Sequence, residues 1–352
     1  MSKKLTVAVI FGGVSSEYPI SCKSAANVIN ILDTSKYNVV KLAISESGEW
    51  FLVSADTGSI AKGEWQQSAV PAVISPDAKT HGILVEGEKS IYVDVAFPIL
   101  HGKNGEDGAI AALLKLAGIP QVTTTMTSGA CSMDKVITKI ICERSDIRTA
   151  DFEFFYNYDL IKDTKPAVEL IESRFDYPVF VKPSSAGSSV GVTKCTDRES
   201  LVAGLLEAAK HDFKVLVEEC IVGYEVEAAV LGNSELFCPV CGQIAPAEDF
   251  YSFDAKYNNP ESLLYIPAKI SDDCHKRVIE SAKQVYRAME CQGMARVDFF
   301  VTDDEQIIFN ELNTIPGFTD ISMYPKMMAH GGLDGSKLAD KLIELAVAED
   351  RI

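Results

Sequence analysis

Asp298 and Glu311 stand thirteen positions apart, Asn313 follows two later, and Arg296 lies two before the first acid. Two carboxylates and an amide offer oxygen ligands only, and no histidine or cysteine falls between them. That set suits one or two hard cations, Mg²⁺ or Mn²⁺, better than zinc. A hairpin must position it. Residues 294–301 and 306–313 are apolar, β-prone runs joined by the polar turn Thr302-Asp-Asp-Glu305, which predicts antiparallel pairing across a four-residue loop. Val301 is then opposite Gln306, Arg296 faces Glu311, and Asp298 faces Phe309. Glu311 and Asn313 fall on the same face as Asp298, at a diagonal separation of roughly 7–8 Å. Acids ending a strand are ordinarily solvated charges; here Arg296 and the turn Thr314-Ile-Pro-Gly317-Phe-Thr319 set them apart.

Two glycine-bearing loops add to this chemistry. His101-Gly-Lys-Asn-Gly-Glu-Asp-Gly108 ends a buried run, and its glycines allow close approach to a ligand, while Glu106 and Asp107 are placed to cap the next helix. Val181-Lys-Pro-Ser-Ser-Ala-Gly-Ser-Ser-Val-Gly191 combines Lys182 with Ser188 and Ser189 between glycines. Backbone N–H groups and hydroxyls there could wrap a polyphosphate, with Lys182 as a point charge. It is neither a Walker A motif nor a dinucleotide fingerprint.

The elements behind these loops read as a doubly wound parallel sheet at the N-terminus: strand 5–11, helix 21–32, strand 38–44, strand 92–100 and helix 109–117 alternate. The pattern changes near Val122, and a β-rich part opens at Lys214 and lasts to Asn313. With 352 residues, 47% hydrophobic and 24% charged, the chain has room for two or three domains. Fifty acids against 33 basic residues, a net charge of −17, disfavour nucleic acid and anionic membranes as partners. No apolar run approaches the ~20 residues that span a bilayer, and Met1-Ser-Lys-Lys leads straight into a strand, so a cytosolic protein is expected. Nine scattered cysteines fit reduced thiols. Cys238-Pro-Val-Cys241 lacks the second pair a structural zinc needs and reads as packing; His81, His211 and His330 receive no role.

Taken in order, Phe11-Gly-Gly-Val-Ser-Ser-Glu17, the His101 loop, Met133-Asp-Lys135, residues 181–191, Glu218 with Glu225, Asp254-Ala-Lys-Tyr257, Ala295-Arg-Val-Asp298 and Asn310-Glu-Leu-Asn-Thr-Ile-Pro-Gly-Phe-Thr319 resemble the D-alanine:D-alanine ligase family of the ATP-grasp superfamily. The match spans nearly the whole chain. It implies an α/β, three-domain ATP-grasp architecture: an N-terminal substrate-binding domain over 1–122, a central subdomain over 123–213 and a C-terminal subdomain over 214–352 carrying the metal site and an ω-loop near 249–267. ATP is expected in the cleft between the last two. The resemblance also implies ligation of two D-alanines through an acylphosphate for peptidoglycan precursors, in a homodimer.

It further implies roles. Lys135, Lys182 and Ser189 would hold the phosphates, with Lys256 in the nucleotide site, and Glu218 and Glu225 would take adenine and ribose. Asp298, Glu311 and Asn313 would hold two Mg²⁺ or Mn²⁺ ions. Arg296 and a backbone N–H near Gly317 would stabilise the oxyanion. Glu17 would bind the first ammonium, His101 would lie near its carboxylate, and Glu17, Ser188 and Tyr257 would link the first domain to the ω-loop. Ser322 and Met323 would border the second subsite. An apolar Met323 and the absence of histidine at 249–267 favour D-alanine there, while Asp320 leaves D-serine open. A non-catalytic ATP-binding module is the remaining alternative, against which the intact set of Asp298, Glu311, Asn313, Lys182 and Arg296 argues.

Overall fold

Side chains of the first strand, β1 (Leu5–Gly12), alternate between two cores. Val7, Val9 and Phe11 join Cys22, Ala25 and Val28 of the helix Tyr18–Ile31, whereas Ala8 and Ile10 join Ile110 and Leu114 of the helix Ala109–Ala117. A strand covered on both faces reads as an unbroken apolar run, as this one does. The computed structural model describes residues 4–87, 90–187, 190–245 and 263–348. In it β2 (Tyr37–Ile44), β3 (Trp50–Val53), β4 (Ala69–Ile74), β5 (Gly82–Val85), β6 (Ile91–Tyr92) and β7 (Val95–Ile99) complete a sheet of order β6-β5-β4-β3-β2-β1-β7.

Only β2, β1 and β7 run parallel; β3 to β6 extend the sheet antiparallel. The expectation of a parallel sheet thus holds for β2, β1 and β7 alone. The link between β2 and β3, residues 45–49, is too short for a parallel crossover, which takes a dozen residues or more. The first helix starts at Tyr18, three residues before the expected Ser21, because Pro19 occupies its first turn, where no N–H is needed. Gly12 before it has φ +89°, and a Cβ there would stand 2.1 Å from the Ile44 carbonyl oxygen.

The second sheet, β8 (Phe152–Tyr156), β9 (Val179–Pro183), β10 (Thr193–Cys195) and β11 (Lys214–Glu219), is antiparallel with order β10-β9-β11-β8. Lys214 therefore belongs to the middle sheet and does not open the third; the change of sheet falls between Glu219 and Tyr224. The third sheet contains β12 (Tyr224–Gly232), β13 (Leu236–Phe237), β14 (Cys241–Ala245), β15 (Leu263–Tyr265), β16 (Met294–Val301) and β17 (Ile307–Asn313), ordered β15-β14-β12-β16-β17 with β13 on β12.

First and third sheets share one core, in which Val9 and Phe97 belong to the same cluster as Leu231, Met294, Tyr324 and Leu342. The middle sheet has its own, containing Leu160, Val181, Leu205 and Val217.

The hairpin of β16 and β17 departs from the expected register. Val301 pairs with Ile307, so the turn is one residue longer than expected, with Glu305 at φ +59° and Thr302 Oγ1 accepting from the Gln306 N–H at 3.0 Å. A bulge then shifts the ladder between Asp298 and Phe299, leaving Asn310 as the extra residue, so that Asp298 directly faces Glu311 and Arg296 faces Asn313. The longer turn alone would have moved Glu311 and Asn313 to the opposite face from Asp298, since each one-residue slip flips a strand. The bulge adds the second slip and restores them.

Candidate active site

Between the middle and third sheets lies a cavity of about 1060 Å³, lined by Lys182, Glu218, Glu225, Arg296, Asp298 and Glu311, and reached from the first sheet by Glu17 and His101. On its floor three acids stand side by side on adjacent strands: Glu227 of β12 pairs in register with Asp298 of β16, which pairs with Glu311 of β17. Arg296 Nε donates to Asp298 Oδ1 at 2.8 Å and its Nη2 to Oδ2 at 2.6 Å, while Nε is 3.3 Å from Glu227 Oε2. Asn313 Nδ2 donates to Asp298 Oδ2 at 2.9 Å. Burial opposes the charge on Arg296, but Asp298 and Glu227 outweigh it and hold its pKa well above the ordinary arginine value. The guanidinium is a permanent charge.

The oxygen donors fit a hard cation. Among the described residues no three His, Cys, Asp or Glu side chains form a metal-binding group; Asp298, Glu311 and the Asn313 amide are the oxygen donors that could hold an ion here.

Opposite the acids, Glu218 is buried between two lysines. Its Oε1 is 2.7 Å from Lys139 Nζ, and Oε2 meets Lys182 Nζ. Burial alone would raise this carboxyl, but the two ammonium groups override it and hold the pKa at about 2. Lys135 Nζ donates to the Ala186 carbonyl at 2.9 Å and lies 4.0 Å from Glu311 Oε2, spanning the middle sheet's loop and the acids. Glu218, expected with Glu225 against adenine and ribose, pairs with both lysines, and it and Glu225 both line the cavity.

Above the acids, the loop after β17 is tied to the first sheet. His101 Nδ1–H donates to the Ile315 carbonyl at 2.9 Å, which leaves Nε2 to accept from Ser24 Oγ at 3.2 Å, and Ser24 Oγ accepts from the Phe318 N–H at 3.2 Å. Burial pushes the His101 pKa down, keeping the ring neutral in this chain of bonds. Glu106, expected as a helix cap, does something else. Its carboxylate accepts from the Gly102 N–H at 2.9 Å and the Ile315 N–H at 3.1 Å, while Asp107 serves the helix start by accepting from Ala109 N at 3.0 Å. Burial, reinforced by the charge of Glu17, raises Glu106 to about 7. Gly102 has φ +69°, and a Cβ there would lie 2.7 Å from Glu17 Oε2. Glu17 also reaches the phosphate-type loop: a Cβ on Gly187 would be 3.1 Å from the same oxygen.

Gly317, Ser322 and Met323 also line the cavity. Ser322 Oγ accepts from Thr319 N at 3.0 Å, and Met323 is buried at the start of the helix Met323–His330. Asp320 Oδ1 accepts from Asn27 Nδ2 at 3.1 Å. Ser188, Ser189, Lys256 and Tyr257 lie outside the described residues, as does most of the expected ω-loop. Cys238 and Cys241 pack in the third sheet's core, with Cys241 Sγ 3.2 Å from His275 Nδ1, and all nine cysteines are free.

Sequence reasoning missed Lys139, Glu227 and the role of Glu106. Lys139 is one helical turn after Lys135, hence on the same face, and Glu227 is two after Glu225 on one strand, a signal that alternation alone could have supplied.

Profiles of the D-ala D-ala ligase N-terminus and C-terminus match residues 6–124 and 141–344. The chain belongs to this ligase family. Within the family, the D-alanine-D-alanine ligase of Clostridium acetobutylicum is 44% identical over 351 residues, 99% of either chain. That of Caldicellulosiruptor bescii is 44% identical, covering 99% of this chain and 96% of its own. Among solved structures, the VanG D-Ala:D-Ser ligase from Enterococcus faecalis has a TM-score of 0.90 at 39% identity, with 98% of this chain and 100% of that one covered. The D-alanine-D-alanine ligase from Coxiella burnetii has a TM-score of 0.85 at 32% identity, with 99% and 96% covered. The family and the fold class expected from the motifs hold. No helix among the described residues is long and apolar enough to cross a membrane.

Proposed function

We propose that the chain ligates two D-alanines to D-alanyl-D-alanine, with ATP cleaved to ADP and phosphate. The observation that carries this is the meeting of Arg296, Asp298 and Glu311 with Lys135 in one cavity between two sheets, in a chain of the D-ala D-ala ligase family. The carboxylate of the first D-alanine takes the γ-phosphoryl group, releasing ADP. The amine of the second attacks the resulting carbonyl carbon, loses a proton, and expels phosphate as the C–N bond forms.

In this reading Lys135 and Lys182 neutralise phosphate oxygens, Ser189 and Lys256 assist them, and Glu225 holds the ribose. Asp298, Glu311 and Asn313 would hold two Mg²⁺ or Mn²⁺ ions, whose chemistry when bound would be to lower the charge on the transferring phosphoryl group. Arg296, permanently charged, faces the oxyanion together with the Gly317 N–H. Glu17 binds the first ammonium, and His101 and Glu106 hold the Ile315–Gly317 backbone where that N–H is needed. Ser188 and Tyr257 close the site with Glu17, excluding water from the acylphosphate. The units are 1–122, 123–219 and 220–352, the second boundary following β11. A cytoplasmic homodimer completes the reading, tested by sedimentation velocity.

D-Serine is the second reading, motivated by the VanG neighbour. Against it stand the apolar Met323 in the cavity lining and the pairing of Asp320 with Asn27. Phosphate release from ATP with D-alanine alone, or with D-serine or D-lactate added, decides, with the product identified by mass. D-Alanine alone should sustain turnover; no release with any pair would sink the ligase reading.

A further inference from the structure

Glu227 has no part in the chemistry above, yet it is buried in the site and its Oε2 is 3.3 Å from Arg296 Nε. Asp298 meanwhile carries three claims on two oxygens: Arg296 Nε, Arg296 Nη2 and Asn313 Nδ2. A divalent cation on Asp298 would set two positive charges against the guanidinium on a shared carboxylate, in a buried site where such repulsion is poorly screened. Arg296 then needs another anchor. The three acids of the row against one guanidinium leave two net negative charges to meet a cation; without Glu227 only one would remain.

We infer that Glu227 is a positioning residue, the standby carboxylate that holds Arg296 in place while a cation takes Asp298. It is a partner of the arginine, 3.3 Å from Arg296 Nε, and not a metal ligand. Its place explains the geometry: β12 sets it beside Asp298 on one side, and β17 sets Glu311 on the other. The inference rests on the metal reading of Asp298 and Glu311.

The test is Mn²⁺ binding in the presence of ADP, read without turnover from the free-ion electron paramagnetic resonance signal, with circular dichroism as the folding control. Glu227→Gln should weaken Mn²⁺ binding about tenfold, within the range of coupled buried neighbours, because Arg296 falls back on Asp298. Adding Arg296→Gln to Glu227→Gln, a charge-balanced pair, should restore most of the affinity. If the double variant stays as weak as Glu227→Gln, Glu227 is itself a ligand and the inference fails; it fails equally if Glu227→Gln binds like wild type. Should the glutamine variant not fold, Glu227→Asp, which keeps the charge, must stay within about threefold of wild type, and a tenfold loss overturns the proposal. Asp298→Asn separates the two readings: undiminished Mn²⁺ binding there removes the metal site itself, and this inference with it.

Discussion

The two walls of the cavity are held by different forces. The acidic wall stands on β16 and β17, in a sheet that shares an apolar core with the first sheet through Met294, Tyr324 and Leu342. The facing wall stands on β9 and β11, whose core is made of residues 160–217 alone. Polar ties attach it to the helix Lys135–Arg144 and its N-cap Asp134, a helix whose Cys142 packs in the third sheet's core: Lys139 to Glu218, Lys135 to the Ala186 carbonyl, and Asp134 to Lys214 and to Ser184 Oγ, the last at 2.6 Å. Apolar burial is non-directional and lost only when the surfaces part, whereas ion pairs and hydrogen bonds can be exchanged for water or for a ligand's phosphates. The acids and the loop after β17 are therefore fixed relative to the first sheet, and the wall of β9 and β11 is the part free to respond.

Changes on the acidic wall test chemistry on a fixed frame. Glu311→Ala should cost about a thousandfold in ADP release with little change in melting temperature; unaltered turnover would remove the acid from the site. Changes at the ties test attachment. Lys139→Met leaves a buried Glu218 with Lys182 alone and should destabilise the protein by about 3 kcal/mol. Amides of 152–219 should lose exchange protection first, and uniform loss across the chain would contradict the contrast between walls. The cores give a sharper version: Leu342→Ala and Leu205→Ala remove equally buried side chains and should each cost about 3 kcal/mol. Only Leu342→Ala should deprotect the first and third sheets together, so identical exchange maps would refute a shared core.

A smaller effect follows from Glu106. Its pKa, about 7, lies above the ordinary carboxyl value of 4.5, so its contribution is complete below that lower value and is lost as pH rises through 7. Over that window it should give a downward slope in stability on the order of 1 kcal/mol per pH unit. Glu106→Gln keeps the shape but cannot titrate. Its melting temperature should fall less between pH 5 and 7.5 than wild type's, and parallel curves would show that the burial of Glu106 carries no linkage.

Much of this arrangement was legible in the residues. The apolar run 5–11 announced a strand covered on both faces, and period-two alternation put Asp298, Glu311 and Asn313 on one face. Motif order named the family, and lone Cys238 and Cys241 read correctly as packing. The short link at 45–49 was also visible, yet its consequence, antiparallel strands beyond β2, went unread. Glu106 was legible as a carboxylate beside a helix start and illegible as a cross-link, because its partner at Ile315 is more than 200 positions away.

Residue type and local spacing therefore determined which groups could do chemistry here and which strands carry them, since alternation and turn preference are properties of short segments. Which acid faces which was decided by the tertiary structure. A longer turn and a bulge at Asn310 each slip the ladder by one residue, each slip alone reverses a face, and only the two together bring Asp298 opposite Glu311. The same holds for Glu227 and for Lys139 at Glu218: burial set by neighbouring sheets, not sequence distance, decides which charges must answer one another.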